Sequence, residues 1–107
     1  MALEWRARTA VLGFSGEIDM VSASGFQEDM SSALAERPDR LVVDLTEVGF
    51  LASAGLAALA ATYEQAGEHT GICVVAPQTA VSRPLQVTAL DRKIPVYASR
   101  EEALAAG

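Results

Sequence analysis

A serine at the junction between a predicted strand and a predicted helix is the residue best placed for chemistry in this sequence. Ser53 follows a buried-strand pattern and a short loop, and small residues at 54 and 55 open the next helix. Such residues leave the first backbone N–H groups of a helix uncovered. An anion is favoured there by about 0.3–1 kcal/mol, through the free N–H groups and the helix dipole. Ser53 therefore either caps these groups with its own hydroxyl or is a site of modification, and both interpretations stay open.

The serine, histidine and cysteine residues of this sequence do not occur in the motifs of known catalytic sites. A hydrolase elbow needs Gly-x-Ser-x-Gly, and residue 51 is leucine where the first glycine should stand. The single histidine, His69, lies in a predicted exposed connection, and no partner pattern marks it as a base. The single cysteine, Cys73, lies in an apolar run and is expected to be a small buried hydrophobe. We predict a protein that is not an enzyme and binds neither metal nor cofactor, since a zinc site or a P-loop needs ligands this chain lacks.

Length and charge restrict the function further. The chain has 107 residues, half of them hydrophobic, so residues 1–107 are expected to form a single domain. The formal net charge of −6 and the scattered basic residues argue against nucleic acid and anionic membranes as partners. The sequence has no apolar stretch of about 18 residues free of charges or turn formers, so membrane insertion is not expected. No signal-peptide pattern opens the chain, so a cytoplasmic location is expected.

The hydrophobic pattern predicts an α/β fold in which strands and helices alternate. Strands are predicted over 3–8, 10–16, 41–45, 71–76 and 94–97, and a turn over 17–20. Helices are predicted over 22–36, 53–67, 79–90 and after the N-cap Ser99. For the third helix we expect Ser82 as N-cap, because Pro84 then falls in the first turn. The order predicts a mixed β-sheet of four to five strands with about four helices, joined by right-handed crossovers.

The second helix has two faces of different character. The residues expected to point toward the sheet are Leu56, Leu59, Ala60 and Tyr63. Those expected on the more exposed side are Ala54, Ala57, Ala58 and Ala61. The alanines fit simple helix propensity, and they equally fit a flat surface on which a partner's backbone can lie close.

At this point the sequence resembles the STAS domain family, found in anti-sigma-factor antagonists and at the ends of sulfate transporters. The resemblance rests first on Val-Asp-Leu-x-x-x-x-Phe-Leu-x-Ser-x-Gly-Leu at 43–56. The segment 15–19 resembles the family's Gly-Glu-Leu-Asp turn, and residues 80–83 and the closing Ala-Leu helix also fit. The similarity covers nearly the whole chain in the right order.

The resemblance implies a partner-switching function. In the bacterial antagonists the serine that matches Ser53 is phosphorylated by an anti-sigma factor that is itself an ATP-dependent serine kinase. The unmodified antagonist captures that kinase and frees the sigma factor, the phosphorylated form cannot, and a phosphatase resets the cycle. The partner-binding face carried over by the resemblance comprises Glu17, Asp19, Met20, Ala52, Ala54, Gly55, Leu56 and Ala57.

Two positions depart from the family pattern. The family usually has Asp before the serine, where this chain has Ala52, and Ser or Thr after it, where this chain has Ala54. The substitutions leave two alternatives to the phosphorylation switch. One is a scaffold subunit on a transporter ATPase, with Ser53 only a cap, and the other is a sensor of a small ligand near the helix entrance.

Overall fold

The protein is built around a mixed five-stranded sheet with helices on both faces. The structure is a computed structural model and describes residues 1–106. The strands are β1 (Ala2–Arg6), β2 (Thr9–Ile18), β3 (Arg40–Leu51), β4 (Gly71–Val75) and β5 (Val96–Tyr97). The helices are α1 (Ala23–Ala35), α2 (Ser53–Ala66), α3 (Thr79–Val87) and α4 (Arg100–Ala106), with a short 3₁₀ turn at Leu90–Arg92. The predicted mixed sheet with about four helices is confirmed.

The sheet order follows the chain order, β1-β2-β3-β4-β5. Strand β1 runs antiparallel to β2, to which a tight connection joins it, and the other neighbouring pairs are parallel. Parallel neighbours need crossover connections, and α1, α2 and α3 supply them. The carboxyl ends of the parallel strands therefore lie at one edge of the sheet.

Two hydrophobic clusters hold the layers together. The larger lies under α1, α2 and α3, where Phe26, Met30, Leu59 and Leu85 pack on the central strands. The smaller joins the other face of the sheet to α4 through Ala103 and includes Cys73. The prediction that Cys73 is a buried hydrophobe is confirmed, and burial raises the pKa of its thiol against the opposing influence of Arg40.

Strands β2 and β3 are longer than the sequence predicts. The predicted ends of β2 at Gly16 and of β3 at residue 45 are wrong, since the strands continue to Ile18 and Leu51, and the turn predicted over 17–20 begins only after Ile18. The register between them shifts twice, between Gly13 and Ser15 and between Gly16 and Glu17. Gly16 adopts φ 83°, which a glycine tolerates, so the chain bends through the irregularity and keeps pairing.

Helix α3 begins at the first residue of the predicted range 79–90, but its N-cap differs from the prediction. The helix begins at Thr79 with Gln78 at the cap position, so Ser82 is not the N-cap and Pro84 lies inside the helix. The Gln78 side-chain amide donates to the carbonyl oxygens of Leu45 and Val48, at 2.7 and 2.6 Å, and thereby fixes the start of α3 against β3. The helix ends at Val87 and not at residue 90.

Candidate functional site

Two connections meet where β2 and β3 end. Ile18 and Leu51 are register partners at the ends of these parallel strands, and the Ala52 N–H donates to the Ile18 carbonyl oxygen at 2.8 Å. The turn that follows β2 and the first turn of α2 are therefore neighbours. We call the exposed and half-buried residues of 17–21 and 50–57, which flank this junction, the Ser53 face.

Ser53 is the first residue of α2 and is exposed. The cap position belongs to Ala52, whose backbone is extended (φ −79°, ψ 170°), and no side chain caps the helix. The interpretation of Ser53 as the cap of its own helix is therefore wrong. The first turn also contains no acidic residue, so neither a cap nor a carboxylate compensates the positive end of the helix dipole.

Gly55 allows α2 to lie close to the strand ends. The residue is buried, and a Cβ placed on it would come within 2.6 Å of Leu51 Cδ1 and 2.7 Å of Ile18 Cγ2. A larger residue would have to push α2 away from β2 and β3. Gly55 was expected on the partner-binding face, and the structure instead places it beneath that face as a packing residue.

Asp19 organises the turn between β2 and α1. Its Oδ1 accepts hydrogen bonds from the backbone N–H groups of Val21 and Ser22, at 2.9 and 3.0 Å, and from the Ser22 hydroxyl at 3.2 Å. The hydrogen bonds from Ser22, and then the one from Val21, lower the pKa of the Asp19 carboxyl below 3.8. Asp19 thus stays ionised and holds in place the segment next to Ser53.

Three large hydrophobic side chains of the Ser53 face are open to solvent. Met20 is 84% exposed, Val21 is 89% exposed and Phe50 is 49% exposed. Phe50 is the register partner of the exposed Glu17, one step before the Ile18–Leu51 pair. Large exposed apolar side chains on neighbouring segments are typical of a protein-binding surface. Val21 and Phe50 were not predicted as contact residues, because their exposure depends on the irregular ends of β2 and β3.

The other predicted contact residues lie around Ser53 at different depths. Ala57 is exposed, whereas Ala52, Ala54 and Leu56 are half-buried. On the predicted flat side of α2, Ala61 is exposed, but Ala58 is buried at 2% exposure and was wrongly assigned to that side. Of the four alanines predicted on this side, Ala54, Ala57 and Ala61 therefore remain at the surface of α2.

Neither the histidine nor the cysteine of this chain lies at the Ser53 face. His69 lies after the end of α2, at the opposite end of that 14-residue helix. Among residues 1–106 no group of three or more His, Cys, Asp and Glu side chains could hold a metal ion. Within the same residues no helix has the length and apolar character needed to cross a membrane. What the Ser53 face offers is a hydroxyl, free N–H groups and an apolar surround.

A partly buried ion network on the α4 side was missed by the sequence analysis. Asp44 Oδ2 accepts from Arg100 Nε at 2.9 Å, and Arg100 Nη1 reaches Glu4 Oε1 at 3.2 Å. Burial pushes the pKa of the Asp44 carboxyl upward, but hydrogen bonds from Thr46 and Arg100 outweigh it and hold the pKa below 3.8. The network ties β1, β3 and α4 together, on the face of the sheet away from α2.

Known proteins resemble the chain in both sequence and structure. The STAS domain family matches residues 1–103. The anti-sigma-F factor antagonist RsfB of Mycobacterium tuberculosis is 38% identical over 95 residues, which is 89% of this chain and 78% of RsfB.

Solved structures agree with this match. An anti-sigma factor antagonist from Mycobacterium paratuberculosis has a TM-score of 0.94 and 43% identity, covering 98% of this chain and 90% of its own. A putative anti-sigma factor antagonist from Thermotoga maritima has a TM-score of 0.90 at 20% identity, covering 98% of this chain and 92% of its own, which shows the shared fold. The chain belongs to the STAS domain family.

Proposed function

We propose that this protein is an anti-sigma factor antagonist that binds a serine-kinase anti-sigma factor through the Ser53 face and loses that binding when Ser53 is phosphorylated. Relatives at 38% and 43% identity bear the antagonist name. The observation that carries the switch is the Ser53 hydroxyl itself, which is exposed at the start of α2 and is not used to cap the helix. Such a protein would act in the cytoplasm, where sigma factors work.

The contact surface would combine apolar anchors with a flat helix start. Met20, Val21 and Phe50 supply apolar area that is exposed in the isolated chain. The small side chains at 52, 54 and 57, together with Leu56, would let the partner's backbone approach α2 closely. Glu17 and Asp19 would border this surface with negative charge and fix its orientation toward a basic partner.

Phosphorylation would act on the interface more than on the fold. A phosphate at Ser53 carries about −1.5 to −2 charges at pH 7. The uncapped helix start stabilises it by only about 0.3–1 kcal/mol, and does so whether or not the partner is bound. Burying the phosphate unpaired under a partner costs several kcal/mol, and even about 3 kcal/mol weakens binding roughly a hundredfold. Release of the partner follows, and a phosphatase would restore binding.

The first experiment locates the phosphate. The protein is incubated with ATP and the kinase that it captures, and the products are mapped by mass spectrometry. We expect a single phosphate on Ser53 in the wild-type chain and none in Ser53→Ala. The control variant Ser15→Ala removes another exposed hydroxyl and should be phosphorylated like the wild type. Phosphate on a different residue would refute the proposed switch.

The second experiment measures binding to the same kinase by calorimetry. Ser53→Ala should bind like the unmodified protein, and Ser53→Asp should bind at least about tenfold more weakly, because one buried unpaired charge costs more than about 1.4 kcal/mol. Ser32→Asp adds the same charge to an exposed position in the last turn of α1, so its affinity should be unchanged. Equal affinities for Ser53→Asp and Ser32→Asp would favour a constitutive scaffold over a switch.

A further inference from the structure

The two edges of the sheet are protected very differently. Strand β5 has two residues and follows Pro95, which has no N–H to offer a further strand. Strand β1 has five residues, all exposed, and pairs only with β2 among the described residues. In an antiparallel pair every second residue directs its N–H and C=O away from its partner. Strand β1 therefore presents unpaired backbone groups along a free edge, which is a template for another strand.

The side chains of this edge alternate between apolar and charged faces. Met1, Leu3 and Trp5 share one face and are 61%, 47% and 42% exposed. Leu3 and Trp5 are register partners of the buried Leu12 and Ala10, so they extend the apolar surface of the large core past the edge of the sheet. An exposed tryptophan at a sheet edge is an apolar anchor without a partner in the single chain.

The opposite face of β1 carries one charge of each sign. Glu4 and Arg6 point to the same side as Val11, and Arg6 Nε donates to Glu4 Oε2 at 2.8 Å. Both side chains remain largely exposed, at 45% and 59% for Glu4 and Arg6. Charged side chains, lysine above all, protect many natural edge strands from pairing with another chain. Here the two signs stand two residues apart, so an antiparallel copy can place each charge opposite its counterpart.

We propose that a second copy of this chain pairs with β1 in an antiparallel arrangement, with the twofold axis at Trp5. In this register Glu4 of each copy faces Arg6 of the other, and the two Trp5 rings meet on the apolar face. Shifting the axis by one residue to Glu4 would place the two Glu4 carboxylates opposite each other, and like charges in that position are destabilising. An axis at Trp5 is the twofold register that brings Glu4 opposite Arg6, and the pairing joins two five-stranded sheets into one.

The interface would be small, because it consists of one short strand from each copy. Small interfaces give weak, concentration-dependent association. The pairing is independent of the proposed function, since the Ser53 face lies at the ends of β2 and β3 and would stay free in both copies.

Sedimentation and tryptophan fluorescence of the wild-type chain, recorded from about 1 µM to about 1 mM, cover the affinities expected of such interfaces. Trp5 is the only tryptophan, so its emission reports the edge directly. We expect a rising dimer fraction together with a blue shift of the emission. A chain that remains monomeric over this range, with unchanged emission, would overturn the proposal and leave the edge to strands of other proteins.

Charge reversal tests the pairing of the two signs. Glu4→Arg makes the charged face of β1 wholly positive, and Arg6→Glu makes it wholly negative, so each variant alone should stay monomeric. Mixing the two variants should restore dimers, because every facing pair again joins opposite charges. Circular dichroism checks that both variants are folded, since Glu4 also contacts Arg100. If the mixture associates no better than the separate variants, the proposed pairing is wrong.

Disulfide trapping tests the register. Residues opposite each other on an antiparallel twofold have Cα atoms about 4.5–5.5 Å apart, which a disulfide can bridge. Trp5→Cys should therefore cross-link to itself under mild oxidation, and Leu3→Cys should not, because two copies of residue 3 would be separated by about four residues along the strands. Cys73, which is buried, is replaced by alanine in both variants so that each contains a single cysteine. Preferential cross-linking of Leu3→Cys would contradict the axis at Trp5.

Discussion

Replacing Gly55 by alanine should destabilise the protein, although alanine is the better helix former. The new methyl group would lie 2.6 Å from Leu51 Cδ1 and 2.7 Å from Ile18 Cγ2, so at least one neighbour must move. The leucine methyl is the end of a flexible side chain, but Ile18 is β-branched and stiff at χ1. Both neighbours are 3% exposed, so neither has free space beside it. The strain falls on the junction that supports the Ser53 face.

The magnitude follows from a matched pair of glycines. Gly25 is the third residue of α1, as Gly55 is the third residue of α2, and a Cβ on Gly25 would meet nothing within 4 Å. Gly25→Ala should therefore show the backbone benefit alone and stabilise the protein by about 0.4–1 kcal/mol. Gly55→Ala gains the same benefit and adds an overpacking strain of about 1–3 kcal/mol. The free energies of unfolding of the two variants should differ by that strain.

The measurement is urea unfolding followed by far-ultraviolet circular dichroism. Both variants should keep the wild-type m-value, so that the midpoint reports stability alone. Gly55→Ala should have the lower midpoint, and under the proposed function its affinity for the anti-sigma factor should fall because the Ile18–Leu51 junction has moved. If Gly55→Ala proves as stable as Gly25→Ala, the close approach of α2 to the strand ends is not a constraint, and our account of Gly55 is refuted.

Two further predictions concern the α4 side of the sheet. Asp44→Asn should lower the free energy of unfolding at pH 7 by about 1–3 kcal/mol, because the partly buried Arg100 loses a charged hydrogen-bond partner. The pKa of Asp44 is lowered in the folded state, so its contribution is present above the ordinary value of 3.8 and is lost as the pH falls through the lowered one. Unfolding curves at pH 7 and pH 3 should show the gap between variant and wild type shrinking in acid, and a gap of constant size would contradict this origin. Ser99→Ala should cost about 1 kcal/mol, because the Glu102 N–H donates to Ser99 Oγ at 3.1 Å at the start of α4. Thermal unfolding measures this loss, and Ser32→Ala, at an exposed position inside α1, should show no comparable decrease.

Local signals in the sequence predicted several elements well. Helix α2 begins at Ser53 and ends before Gly67, as predicted, because small residues open it and a glycine with positive φ closes it. Ser99 was predicted to cap α4, and its hydroxyl accepts the expected backbone N–H. These features depend on residues within about one helical turn of each other, so a local pattern is sufficient to predict them.

Other elements depend on contacts between distant parts of the chain. Helix α3 starts three residues before the predicted cap at Ser82, because Gln78 is held by carbonyl groups of β3. The side chain of Ala58 is buried, although the sequence pattern predicted it on the exposed side of α2. Asp44, which interrupts an apolar run, is paired with Arg100 far along the chain. No local pattern contains such partners.

The sequence by itself determined the alternation of strands and helices, the STAS resemblance and the position of Ser53 at the start of a helix, since each is a matter of residue types at short spacing. Only the tertiary structure decided that the Ser53 hydroxyl does not cap α2, that Gly55 is a buried packing residue, and that Met20, Val21 and Phe50 are exposed in the segments next to it. The physical reason is that capping, close approach and exposure are set by where β2 and β3 end beside each other, and that register is fixed by packing of the whole sheet.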